Sequence, residues 1–166
     1  SQGFPNFDGD QRLIRWVEEG MRTGFNQYAP MAGLPMLRKQ IGRWASFYHD
    51  VDLNPETEIT VTAGATEALM GSMLALVHPG DEVIVFEPAY DAYIPAIKLA
   101  GGKPVRIPML PPSYEMNWEL VKASITSRTK AILVNSPHNP SGSIWTAADV
   151  EKLTELALAH DLIVIC

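Results

Sequence analysis

From residue 57 onward, short apolar runs alternate with longer stretches in which apolar positions recur at helical spacing. The runs at 58–62, 82–86, 103–107, 130–134 and 162–166 read as strands, and 66–77, 91–100, 118–125 and 147–160 as helices. Turn chemistry marks the joints. Pro79-Gly80-Asp81 leads into the second strand, and Gly101-Gly102 ends a helix by relieving left-handed cap strain. Pro104 favours an edge position, because it removes a backbone donor. Thr146 with Asp149 three residues on has the form of a capping box. Strict strand–helix alternation predicts an α/β fold, a mostly parallel sheet with helices on both faces.

Residues 1–56 follow a different pattern. Leu13, Ile14, Val17 and Met21 share one helical face, and Leu37, Ile41, Trp44 and Tyr48 share another. Pro35 suits the first turn of the second helix. The expected organisation is an N-terminal arm and helical segment at 1–56, followed by the front part of an α/β domain at 57–166. Leu162 to Ile165 is apolar at every position, the pattern of a strand buried on both faces. Such a strand implies neighbours and covering helices, so the chain reads as the front part of a longer polypeptide.

Composition narrows the partners. A formal net charge of -6 argues against a nucleic-acid or anionic-membrane surface, since either needs clustered Lys and Arg. No apolar run is long enough to span a bilayer. One cysteine, Cys166, excludes an internal disulfide framework and suits a reducing, cytoplasmic setting. His49, His78, His138 and His160 are scattered, with no metal-site spacing, so no metal is expected.

Candidate chemistry lies in the loops. Asn135-Ser136-Pro137-His138-Asn139-Pro140-Ser141-Gly142 directly follows the apolar run ending at Val134. Two prolines stiffen this turn, and open α/β sheets bind ligands at the carboxyl ends of their strands. Asn139, held extended by the proline that follows it, can therefore present a fixed amide, although an isolated Asn-Pro pair is more often a tight turn before a helix. Thr62-Ala63-Gly64-Ala65-Thr66 is a small-residue turn into a helix, where free N–H groups and the macrodipole favour an anion. Taken alone, it is an ordinary turn with Thr66 as N-cap, and it lacks a dinucleotide or P-loop pattern. Glu87-Pro88-Ala89-Tyr90 places an aromatic beside a proline at a strand end, where its ring can lie against a planar ligand. Tyr93, one turn on, suits core or cleft. Tyr28 lies on a glycine-bearing loop outside the sheet, and Gly3 opens another glycine–proline loop.

Taken together and in order, these loops are specific. Gly-Phe-Pro-Asn-Phe from Gly3, Tyr-Ala-Pro-Met-Ala-Gly from Tyr28, Thr-Ala-Gly-Ala-Thr-Glu-Ala-Leu from Thr62, Glu-Pro-x-Tyr-x-x-Tyr from Glu87 and Asn-Ser-Pro-His-Asn-Pro-Ser-Gly resemble the fold-type I, class I/II pyridoxal-phosphate aminotransferases. The subgroup most resembled is the methionine, kynurenine and glutamine transaminases. The resemblance implies the large domain of that fold, incomplete here, and pyridoxal phosphate as cofactor. It implies that Ala65 and Thr66 N–H groups hold the cofactor phosphate and that Tyr90 stacks on the ring. Asn139 would bind the ring's phenolic oxygen and touch the substrate carboxylate, which the Gly3 backbone would also meet. Tyr28 would reach the partner's phosphate in a homodimer.

The same resemblance places the Schiff-base lysine, the pyridinium aspartate and the carboxylate-clamping arginine beyond Cys166. Lys39, Lys98, Lys122 and Lys152 fall on expected helices, and Lys103 and Lys130 at strand starts. No catalytic residue is therefore assigned within the chain, which alone is expected to be inactive. The implied activity is transfer of an amino group between an amino acid and a 2-oxo acid. The rivals are a carbon–sulfur β-lyase on the same fold and a non-catalytic cofactor-binding sensor module.

Overall fold

The computed structural model describes residues 5–166. Gly3 lies outside the described residues. The chain divides into two compact units, the first ending at Val61 and the second spanning Thr62–Cys166.

The first unit carries α1 (Gln11–Arg22) and α2 (Pro35–His49). Asp10 caps α1, its carboxylate accepting the Arg12 N–H at 2.8 Å. Pro35 occupies the first turn of α2, and Asp50 closes it in the left-handed conformation, φ 53°. The expected apolar faces are present but are not the buried ones. No residue of α1 is buried, and Leu37, Trp44 and Tyr48 of α2 are exposed. Instead α2 buries Arg38, Gly42 and Ala45. Small residues allow this: a Cβ on Gly42 would lie only 3.5 Å from Leu53 O and from Pro55, so the 53–59 segment packs against bare backbone.

The strand expected at 58–62 does not form. Its alternation is real, with Ile59 buried, yet the Val61 N–H donates to Ala32 O at 3.1 Å in a loop, with no strand partner among the described residues. Gly33 makes that approach possible, since a Cβ there would meet Val61 Cβ at 2.6 Å.

In the second unit, α3 (Ala65–Leu76) precedes β1 (Glu82–Glu87), α4 (Tyr93–Leu99), β2 (Lys103–Pro108) and α5 (Trp118–Ala123). Then come β3 (Thr129–Leu133), α6 (Ala147–His160) and β4 (Ile163–Ile165). Among the described residues the sheet has four strands in the order β2-β1-β3-β4, and every pairing is parallel. Pro104 does sit on an edge strand. Alternate side chains of β1 enter opposite cores. Val83 and Val85 pack with Met73, Val77, Ala96 and Ile97, while Ile84 and Phe86 pack with Val121, Leu153 and Leu156. Helices α3 and α4 thus cover one face, α5 and α6 the other. Each fully buried aliphatic side chain contributes about 1.5–3 kcal/mol.

Local chemistry sets the helix ends. α4 stops in a Schellman motif, with Gly101 at φ 86°, Gly101 N–H on Lys98 O at 3.0 Å and Gly102 N–H on Ile97 O at 2.9 Å. The capping box of α6 is complete, Asp149 Oδ2 accepting the Thr146 N–H at 2.8 Å. β4 departs from the expected burial on both faces. Among the described residues it pairs only with β3, and Val164 is exposed while Ile163 and Ile165 are half-buried.

Candidate functional site

The strand order reverses direction between β1 and β3: the chain leaves β1 toward β2, then crosses back to β3 on β1's other side. Crevices form at the carboxyl ends of strands around such a reversal. A cavity of about 440 Å³ lies there. Ala65, Thr66, Leu69 and Ser72 of α3 line one side, Tyr90 and Tyr93 another. Leu133, Asn135, Asn139 and the β4 end at Ile165 and Cys166 complete the wall. Ala65, Thr66, Tyr90 and Asn139 therefore surround one space. Tyr28 is fully exposed on the loop between α1 and α2 in the first unit.

The α3 terminus is built from a bend without a side chain. Gly64 takes φ 88° and ψ 168°, a region almost closed to other residues, and serves as N-cap with nothing to cap with. Thr66, read from sequence as an N-cap, is instead the second residue of the helix. The first backbone bond of α3 is Ala68 N–H to Gly64 O at 3.3 Å, so the Ala65, Thr66 and Glu67 N–H groups precede the ladder. The Glu67 carboxylate turns back to accept the Ala63 N–H. Contrast α6, whose Thr146 hydroxyl accepts the Asp149 N–H at 3.2 Å. An uncapped helix start facing a cavity leaves N–H groups to which an anion can bind.

Tyr90 and Tyr93 meet edge to face, centroids 5.6 Å apart and planes at 71°. Tyr90 is the more exposed ring. Burial, and then the neighbouring Tyr90, push the Tyr93 hydroxyl above the ordinary phenol value, so it stays protonated. Tyr93 serves both core and cleft: it packs against the Met73, Val85 and Ile97 core and also lines the cavity.

The 135–142 turn is held from within. Asn135 Nδ2 donates to Pro137 O at 2.9 Å, and the Trp145 N–H donates to Ser136 Oγ at 3.0 Å. The Gly142 N–H donates to His138 O at 2.7 Å. Asn135 Oδ1 is buried without a partner among the described residues. Asn139, by contrast, is exposed at the cavity.

Sequence reasoning passed over Ser72 and Leu69. Their signal was the three-residue spacing Thr66, Leu69, Ser72, which puts all three on one face of α3. No lysine lines the cavity; all six sit in helices or in β2 and β3.

The aminotransferase class I and II family model matches residues 1–166. Methionine aminotransferase of Escherichia coli is 42% identical over 99% of this chain, which spans 43% of that protein. The fold agrees equally well with solved structures. N-succinyldiaminopimelate aminotransferase from Mycobacterium tuberculosis superposes at TM-score 0.92 with 38% identity, over 98% of this chain and 43% of that one. An aromatic aminotransferase from Pyrococcus horikoshii gives TM-score 0.92 and 35% identity, over 98% and 44%. The chain thus spans less than half the length of the relatives it matches.

Proposed function

This chain belongs to the class I and II aminotransferases, and we propose that its cavity is part of a pyridoxal phosphate site in a transaminase. Members of this family depend on that cofactor. The residues present suit it. About 440 Å³ is within the range of small-ligand pockets, and an uncapped helix start, an aromatic ring and an amide all face it. That convergence on one cavity is the observation that carries the reading.

Pyridoxal phosphate, when bound, supplies the electron sink for chemistry at the amino-acid α-carbon. This chain's residues bind and orient it. The Ala65 and Thr66 N–H groups hold the phosphate at the α3 terminus, with the Thr66 hydroxyl as a further donor. Tyr90 lies against the ring, and Tyr93 buttresses Tyr90 edge-on. Asn139 donates its amide to the phenolic oxygen and meets the substrate carboxylate. Gly3, outside the described residues, would add a backbone contact to that carboxylate. Tyr28 would reach the phosphate of the partner subunit in a homodimer.

The amino donor is of methionine, aromatic, glutamine or kynurenine type; 42% identity to a methionine aminotransferase supports the first, and 35% identity to a probable kynurenine–oxoglutarate transaminase supports the last. The enzyme is expected in the cytoplasm. Purified full-length protein incubated with methionine and a 2-oxo acid should consume methionine only when the oxo acid is present. Turnover of a cysteine S-conjugate without an oxo acid, releasing the thiol, ammonia and pyruvate, would instead identify a carbon–sulfur β-lyase.

A further inference from the structure

His138 has no part in the contacts proposed above, yet it is the buried residue of the 135–142 turn, only 4% exposed. Its backbone ties the turn shut. The His138 N–H donates to Ser143 O at 2.8 Å, and its carbonyl accepts the Gly142 N–H at 2.7 Å. Its side chain ties the turn a second time. Nδ1 lies 2.8 Å from Ser141 Oγ, which lies 3.0 Å from Ser143 Oγ and accepts the Ser143 N–H at 3.3 Å.

Asn139 and Pro140 are the two residues bridged by this link. Among the described residues no hydrogen bond fixes the Asn139 amide itself, so its direction is inherited from the frame around it. We propose that His138 is a positioning residue of the cofactor site, aiming Asn139 into the cavity through its contact with Ser141. The proposal rests on the reading of this cavity as a pyridoxal phosphate site. Burial pushes the His138 imidazole below its ordinary pKa, so the ring is neutral and the Ser141 contact persists at neutral pH. A ring present only to fill space would need neither the nitrogen nor the serine.

Four variants of the full-length protein separate these cases: Asn139→Ala, Ser141→Ala, His138→Leu and His138→Asn. Leucine fills the volume without a polar atom, whereas an asparagine amide reaches the region of Nδ1. Each is titrated with pyridoxal phosphate, reading Kd and the pH midpoint of the bound cofactor's visible absorption. Asn139→Ala should weaken binding and move the midpoint. His138→Leu and Ser141→Ala should move it the same way, with Kd raised about fivefold, the worth of one hydrogen bond. His138→Asn should stay within about twofold of wild type. Deuterium exchange across 135–143 in cofactor-free protein should rise in His138→Leu and Ser141→Ala.

If Asn139→Ala changes both readings while His138→Leu and Ser141→Ala, folded by near-ultraviolet circular dichroism, change neither, the positioning role is overturned and the cofactor site stands. If Asn139→Ala is silent as well, the cofactor reading fails and takes this role with it. Should His138→Leu not fold, Ser141→Ala decides alone.

Discussion

Thr126 Oγ1 donates a 2.7 Å hydrogen bond to Glu82 Oε2, closing off a carboxylate buried at the start of β1. Arg128 reaches the other oxygen at 2.9 Å and Lys103 at 3.3 Å, so one anion ties the amino ends of β1, β2 and β3 together. The Thr126 bond first, then Arg128, outweigh burial and lower the Glu82 pKa from 4.5 to about 2. The native state therefore binds fewer protons than the unfolded chain between those values. The stability that follows is complete above pH 4.5 and is lost as pH falls toward 2. Urea midpoints of the full-length protein should fall more steeply with acid in wild type than in Glu82→Gln, the two converging near pH 2. At neutral pH Glu82→Gln should cost about 2 kcal/mol. Parallel pH curves would remove the clamp.

Gly102 is where α4 meets the turn into β2, and a Cβ there would lie 2.6 Å from Val77 Cγ1 and 3.1 Å from Ile97 Cγ2. Ile97 is fully buried, so neither neighbour has room to retreat. Gly102→Ala should destabilise by about 1–3 kcal/mol through overpacking. Thermal unfolding checks this, and an unchanged midpoint would show that the α3–α4 layer yields.

The second unit was legible because its turns carry their own chemistry. The capping box at Thr146 and Asp149 and the Gly101-Gly102 stop are local, so α6 and the end of α4 lie where the residues place them. Alternation at 58–62 misled, because pattern reports which side is buried and not whether a partner strand exists. Ile59 is buried without one among the described residues. The α2 face was misjudged for a related reason: large apolar residues mark a face able to be covered, while the 53–59 segment packs at Gly42. Tyr90 and Asn139 stood out through their prolines at strand ends. His138 did not, because a buried histidine that braces a loop leaves no spacing signal.

Tyr90 offers the cavity a ring that meets Tyr93 edge to face, and the stacking proposed for it needs the ring rather than its hydroxyl. Tyr90→Phe should keep pyridoxal phosphate affinity within about twofold. Tyr90→Leu should lose about 1 kcal/mol, roughly fivefold in Kd. Equal losses in both would assign the effect to the hydroxyl instead.

Two glycines of the α3 region should respond to alanine in opposite directions. Neither Gly64 nor Gly71 has any atom within 4 Å of a built Cβ, so space does not separate them. Backbone does. Gly71 lies in the helix interior and is exposed, where alanine gains about 0.5–1 kcal/mol. Gly64 holds φ 88° and ψ 168°, and forcing alanine there costs about 1–3 kcal/mol or turns the first N–H groups of α3 away. Gly71→Ala should therefore raise Tm with pyridoxal phosphate affinity unchanged, since Gly71 does not line the cavity. Gly64→Ala should lower Tm and weaken binding of both pyridoxal phosphate and inorganic phosphate. Inorganic phosphate isolates the α3 terminus from the ring contacts. A Gly64→Ala protein that loses stability yet binds inorganic phosphate as wild type does would show that Ala65 and Thr66 are not the anion's ligands.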